Sequence, residues 1–371
     1  MASFRFPVDS EMPNIDELRV RHANRRTFLR GAAGLGLAAG AVGLARSNGE
    51  AQDHTHGAGT PEAADPDGGY VGSDSTTRGD TGDSTPVPGQ EIRPFTPYQP
   101  FLPKVEPGPK HISISCVDQT VYIAKDTPYA GWTFDGTIPG PVLRAVEGDT
   151  ITTTIRNDAP LTHSLDFHSA RVNPERGYRN LAPGEEFQWS FHAKYPGAYM
   201  YHCGTAPVLM HIAAGMYGAM IVDPKEGWSP AQELVFVQSE FYVMEGEGGV
   251  MVPDADNLFS MGNMNYVTFN GYANQYVEHP IKVVVGEPIR IFVVNCGPNI
   301  WSSFHVVGAI FDRVYPNANP KNEQIGMQSI SIGPGDGACV EFTLDEPGTY
   351  VAVNHSFGHA AHGAIALLQA E

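Results

Sequence analysis

From about residue 105 to the C-terminus, apolar and polar positions alternate in short runs punctuated by Gly and Pro. Examples are His111-Ile-Ser-Ile-Ser-Cys116, Thr150 to Ile155, Phe187 to Phe191 and Gly218 to Val222. A period of two puts every second side chain on one face, as in a strand with one face against a core. No long segment repeats at 3.6 residues, so helices are minor. The pattern predicts an all-β chain built of sandwiches.

The runs also recur. Phe134-Asp-Gly and Gly148-Asp-Thr-Ile-Thr-Thr-Thr-Ile-Arg-Asn157 return as Phe269-Asn-Gly and Gly286-Glu-Pro-Ile-Arg-Ile-Phe-Val-Val-Asn295. Ala182-Pro-Gly-Glu and Tyr195-Pro-Gly-Ala-Tyr-Met-Tyr-His-Cys203 return as Gly333-Pro-Gly-Asp and Glu346-Pro-Gly-Thr-Tyr-Val-Ala-Val-Asn354. Two tandem Greek-key β-sandwich domains follow, 104–226 and 227–371. Asn354 stands where the first copy has Cys203, so any thiolate chemistry belongs to the first copy.

Upstream, residues 46–103 are rich in Gly, Asp, Ser, Thr and Pro and poor in aliphatic side chains. Such a segment buries too little apolar surface to offset its ordering entropy and reads as a disordered linker. His54 and His56 fall inside it and are not read as metal ligands. Residues 1–45 contain Asn24-Arg25-Arg26-Thr27-Phe28-Leu29-Arg30, then a Gly/Ala-rich apolar stretch to Ala45. This is a twin-arginine export signal; the stretch is shorter than the ~20 residues a spanning helix needs. That route carries folded proteins, which suits a chain that assembles around a metal. The location expected is periplasmic or extracytoplasmic, with a membrane tether left open.

The net charge of −18, from 41 acidic and 23 basic residues, excludes a nucleic-acid partner, which needs a basic face. Four cysteines in 371 residues are too few for a disulfide framework. Cys116, Cys296 and Cys339 lie in apolar runs and read as packing residues.

Cys203 differs. With His163, His211 and Met216 it supplies a thiolate, two imidazoles and a thioether, the donor set of a blue-copper electron-transfer site. Cys-x7-His-x4-Met places three donors on one loop between strands. His202 precedes Cys203, and neighbouring strand residues face opposite ways, so His202 addresses a different metal. His168 follows His163 by five residues and repeats that split. Together His168 and His202 imply a second copper held by imidazoles, with an open position for substrate. His355, one residue past the Cys203 equivalent, is the third ligand expected, completing a site on a neighbouring subunit.

His163-Ser-Leu-Asp-Phe-His168, Tyr201-His-Cys-Gly-Thr-Ala-Pro-Val-Leu-Met-His211, Gly215-Met216-Tyr-Gly, Ser303-Phe-His305-Val-Val-Gly and Val353-Asn-His355 resemble the copper-containing nitrite reductases over about 105–371. The similarity is greatest to their branch with a short type 1 loop, represented in Neisseria. The resemblance implies two cupredoxin domains and a homotrimer with two coppers per subunit. His163, Cys203, His211 and Met216 would then hold type 1 copper, and His168, His202 and His355 type 2 copper between subunits. It assigns Asp166 and His305 as the catalytic pair and Val307 to the nitrite pocket. A small redox protein, a cupredoxin or a cytochrome c, would donate electrons. Chemistry supports the pair independently, because forming nitric oxide and water from nitrite takes one electron and two protons. One departure is Ile310, where many relatives carry a further His. His359 and His362 are extra histidines read as exposed or as neighbours of the ligands.

Two rival readings remain at this stage. A two-domain multicopper oxidase needs several His-x-His pairs, and the folded region has none. A non-enzymatic type 1 electron carrier leaves His168, His202, His355, Asp166 and His305 without a role. Copper per subunit separates them: one for a carrier, two for a nitrite reductase, four for an oxidase.

Overall fold

The computed structural model describes residues 91–371. The twin-arginine region, His54, His56 and the linker up to residue 90 lie outside the described residues. Within 91–371 two β-sandwiches follow one another. In the first, Lys110–Ala124, Thr127–Phe134, Thr150–Asn157 and Glu186–His192 form one sheet. Leu143–Val146, Asp166–Phe167, Gly197–His202 and Tyr217–Asp223 form the other. In the second, a six-stranded sheet centred on Gln232–Phe241, Ile289–Asn295 and Asp336–Phe342 faces a five-stranded sheet. That five-stranded sheet includes Ser302–Val307, Gly348–Asn354 and Ile365–Ala370.

The repeat is carried in backbone geometry. Lys110–Ala124 pairs in parallel with Thr150–Asn157, and Gln232–Phe241 pairs in parallel with Ile289–Asn295. Asp135-Gly136 and Asn270-Gly271 all have positive φ, between 55° and 82°, a turn that Asp, Asn and Gly tolerate. Asn157 Nδ2 donates to the carbonyls of Leu161 and Leu181, and Asn295 Nδ2 to those of Ile300 and Ile332.

One core fills each sandwich, and two smaller clusters join residues of both domains. Ala198, Met200, Tyr217, Ala219 and Ile221 from the first domain pack on Val235, Val237, Phe292 and Val294 from the second. Tyr217–Asp223 is therefore buried on both faces, which explains its unbroken apolar run. A charged seam runs beside this core. Glu233 accepts from Arg144 and from Arg290 at 2.8 Å each, and Arg290 Nε donates to Glu341 at 2.7 Å.

Two boundaries differ from the sequence reading. Residues 91–103, read as linker, pack on the body of the molecule: Phe95 stacks on Tyr272 with centroids 3.8 Å apart, Tyr98 N–H donates to Gln275, and Leu102 N–H donates to Glu233 O. Phe95, Tyr98 and Leu102, set among prolines, supply the apolar contacts; the rest of the linker sequence is poor in such side chains. Second, Val243–Glu245 and Met251–Pro253 extend the first domain's sheet beside Thr127–Phe134, so chain beyond residue 227 completes the first domain's edge.

Candidate metal centre

Strand Gly197–His202 and the short helix Val208–Ala213 deliver the first donor set. Cys203 Sγ lies 3.3 Å from His211 Nδ1 and 3.9 Å from His163 Nδ1, and the two Nδ1 atoms are 3.2 Å apart. All three side chains are buried, and Met216, wholly buried, shares a core cluster with Cys203. The loop is folded tightly behind them: Met216 N–H donates to His211 O, and Cys203 N–H to Met216 O. Gly215 has φ 121°, and a Cβ there would sit 2.9 Å from Trp132 O and closer still to Ile138. The Trp132 ring packs against His211 at 4.8 Å and His163 at 5.9 Å.

The electrostatics suit a soft cation. Burial by itself raises the Cys203 pKa, but the His163 hydrogen bond and charge and the Thr205 contacts outweigh it, and the thiol is held below its ordinary value. Burial lowers His211 to about 4, so its ring is neutral with a lone pair free for a metal. Ser164 N–H points at Cys203 Sγ from 3.3 Å, a contact that orients the sulfur. The motif quoted from the sequence contained Ser164; only the fold shows that its amide serves the thiolate.

His202 turns away from that cluster. Its Nε2 lies 3.1 Å from His168 Nε2, and each ring's Nδ1 contacts a carbonyl: His202 that of Cys203 at 2.8 Å, His168 that of Gly335 at 3.1 Å. Each carbonyl accepts from Nδ1–H, the tautomer that leaves the Nε2 lone pair free for a metal. Gly335 comes from the second domain, with φ 81° and its Cβ position 3.3 Å from the His168 ring. The sequence reading missed it, although its Pro-Gly turn is part of the repeat. Burial lowers the His202 pKa, His168 adds to this, and the Asp166 charge opposes it.

Asp166 pairs directly with His202 in the antiparallel register, so the two side chains share a face, with Asp166 Oδ2 3.9 Å from His202 Nε2. Phe167, the next residue, points into the core. The segment between His163 and His168 is not one regular strand, since only Asp166–Phe167 pairs in the sheet. His163 nonetheless lies beside His211 and Cys203, and His168 beside His202.

His305 and His355 meet elsewhere. Their rings are 5.4 Å apart in an edge-to-face arrangement, and His305 Nδ1 contacts Gln328 O. His305 and Val307 lie on the outward face of Ser302–Val307, alternating with buried Phe304 and Val306. Among the described residues, His163, Cys203 and His211 form the one group of three metal-ligating side chains brought together within a single chain. The pairs His168/His202 and His305/His355 are each formed, but the chain does not close them into one site.

Comparison with known proteins gives the family of the chain. Residues 116–227 fit the family model described as multicopper oxidase. A copper-containing nitrite reductase of Neisseria meningitidis serogroup A is 38% identical over 281 residues, 73% of this chain and 72% of that protein. The chain belongs to the copper-containing nitrite reductase family. The solved copper nitrite reductase of Nitrosomonas europaea superposes with TM-score 0.66 at 39% identity, over 71% of this chain and 94% of that one. A copper-containing nitrite reductase of Thermus scotoductus gives 0.65 at 34% identity, over 71% and 62%. The donor residues fit copper: sulfur and neutral imidazole, desolvated and preoriented.

Proposed function

We propose that this member of the family reduces nitrite to nitric oxide and water with two coppers per subunit, type 1 at His163, Cys203, His211 and Met216, type 2 at His168, His202 and His355. The observation that carries the reading is that consecutive residues, His202 and Cys203, serve two separate donor sets. The peptide joining them is the shortest covalent path between those sets.

His355 would reach the type 2 site of a neighbouring copy, giving a homotrimer. Trp301, Val307, Ile310 and Phe357, all at least 45% exposed and grouped near His305 and His355 in the chain, supply apolar surface for such a contact. A small exported redox protein would be the electron donor, and the twin-arginine motif would place the enzyme outside the cytoplasm.

Bound copper would supply a one-electron store at the first donor set and a Lewis-acid seat for the anion, able to pass that electron on, at the second. Asp166 then stands beside that seat, where its carboxyl hydrogen-bonds the anion and carries a proton to the departing oxygen. His305, fixed through Nδ1 by Gln328 O, exchanges a second proton through Nε2. Val307, on the same strand face, narrows the space in which a small anion lies.

The test is nitric oxide release from nitrite under anaerobic conditions, with a reduced dye and copper-loaded protein. Steady release with two coppers per chain supports the reading. Oxygen consumption in its place, or no gas from fully loaded protein, rejects it.

A further inference from the structure

The second domain contains a counterpart of the copper pocket in which hydrogen bonds take the place of metal bonds. His163 pairs with Leu181, and Ser302 with Ile332, each partner lying just ahead of a repeated Pro-Gly turn. Ser164 N–H donates to Cys203 Sγ at 3.3 Å, and Ser303 N–H to Asn354 Oδ1 at 3.1 Å. Met216 N–H donates to His211 O, and Ala364 N–H to His359 O; Cys203 N–H donates to Met216 O, and Asn354 N–H to Ala364 O. Ser302, Asn354, His359 and Ala364 therefore occupy the places of His163, Cys203, His211 and Met216. Only the imidazole is retained.

Gln238 fills the pocket from the position of Cys116, as their matched pairing with Asn295 and Asn157 shows. Its Oε1 accepts from Ser302 Oγ at 2.7 Å and from Asn354 Nδ2 at 3.2 Å. Asn354 Nδ2 also lies 3.0 Å from His359 Nδ1 and 3.1 Å from Trp301 O, so two amide hydrogens are shared among three acceptors. Burial lowers the His359 pKa, with His362 adding to it, which keeps Nδ1 free to accept.

The other end of the amide matters for chemistry. Asn354 Oδ1 accepts from Ser303 N–H and Ser356 N–H, while Ser303 O accepts from His355 N–H at 2.7 Å. One carboxamide thus ties the strand that carries His305 to the strand end that carries His355. We infer that Asn354, braced by Gln238 and His359, is a positioning residue that sets both imidazoles. This rests on the reading of His355 as a type 2 copper ligand.

The test uses the full copper-loaded chain with Asn354→Ala and Asn354→Asp. The type 1 absorption, which belongs to the other domain, reports folding. Type 2 copper is read as its electron paramagnetic resonance signal per type 1 copper, during titration with a chelator. Losing such a partner weakens metal affinity by about 10–100-fold, and that is the loss expected for Asn354→Ala. Asn354→Asp keeps both acceptor bonds and should fall between it and the parent. If Asn354→Ala loses its type 1 absorption, Asn354→Asp carries the test, with a loss of type 2 affinity expected. A purely structural role lowers the melting temperature and leaves the normalised type 2 signal unchanged, and that result overturns the inference. His355→Ala separates the two claims. If it keeps type 2 copper, the ligand reading and this inference fall together. If it loses type 2 copper while the Asn354 variants keep theirs, the inference alone falls.

Discussion

His202 and Cys203 are consecutive residues at the end of one strand, yet their side chains join different partners: His202 Nε2 lies 3.1 Å from His168 Nε2, and Cys203 Sγ 3.3 Å from His211 Nδ1. Pleating separates them without any special backbone conformation. Every functional expectation for this protein starts from that divergence.

Asp166 shares the His202 side of the sheet, and among the described residues no main-chain N–H bonds its carboxyl, which leaves it available to a substrate. Asp166→Asn keeps the shape and removes the acid. Turnover should fall by about 10²–10⁴-fold, with copper content unchanged; steady-state nitric oxide production and metal analysis on one preparation check this. Turnover near that of the parent would remove Asp166 from the mechanism.

The repeat and the first donor set were legible in the sequence because they depend on local chemistry. Phe134-Asp-Gly and Phe269-Asn-Gly need φ > 0, and Cys203, His211 and Met216 lie on one loop. The second domain's counterpart of the copper pocket was not legible. Four residues separate Asn354 from His359 where seven separate Cys203 from His211, so counting positions aligns His211 with His362. Only the shared main-chain bonds identify His359, which the sequence reading left as an exposed or neighbouring residue. Residues 91–103 were misread for a different reason: composition averaged over a long segment hides Phe95, Tyr98, Phe101 and Leu102. Within one chain the His355 ring meets those of His305 and Phe357, while His168 and His202 meet each other elsewhere, so its place as a third ligand is not displayed by one subunit.

Glu240 gives stability a pH dependence of its own. Burial pushes its pKa up to about 8, and the N–H groups of Asn299 and Ile300 offset only part of this. A carboxyl with a raised folded-state pKa binds its proton more tightly in the native protein than in the unfolded chain. Its contribution is therefore most favourable below the ordinary value of 4.5, declines as pH rises towards 8, and is level beyond. Glu240→Gln keeps an acceptor for both N–H groups and cannot ionise. Its melting temperature, relative to the parent, should rise progressively between pH 5 and pH 8; a constant difference across thermal scans would contradict the account.

Arg290 is 1% exposed and makes three directed bonds, to Glu341, Glu233 and Ser229 O, while its guanidinium lies 4.8 Å from the Trp228 ring. Lys cannot reproduce that planar fork. Arg290→Leu leaves Glu233 and Glu341 short of a partner and should cost about 3–5 kcal/mol, and Arg290→Lys a smaller share. Denaturant unfolding measures both, and equal stability of all three proteins would show that the seam contributes nothing.

The division between His202 and Cys203 is tested most directly by counting copper in the two single variants. Electron paramagnetic resonance and metal analysis of His202→Ala should show type 1 copper retained and type 2 copper lost. Cys203→Ala should show the reverse, one copper per chain in each case. Loss of both signals together in correctly folded protein, or a single shared signal removed by either substitution, would contradict the account.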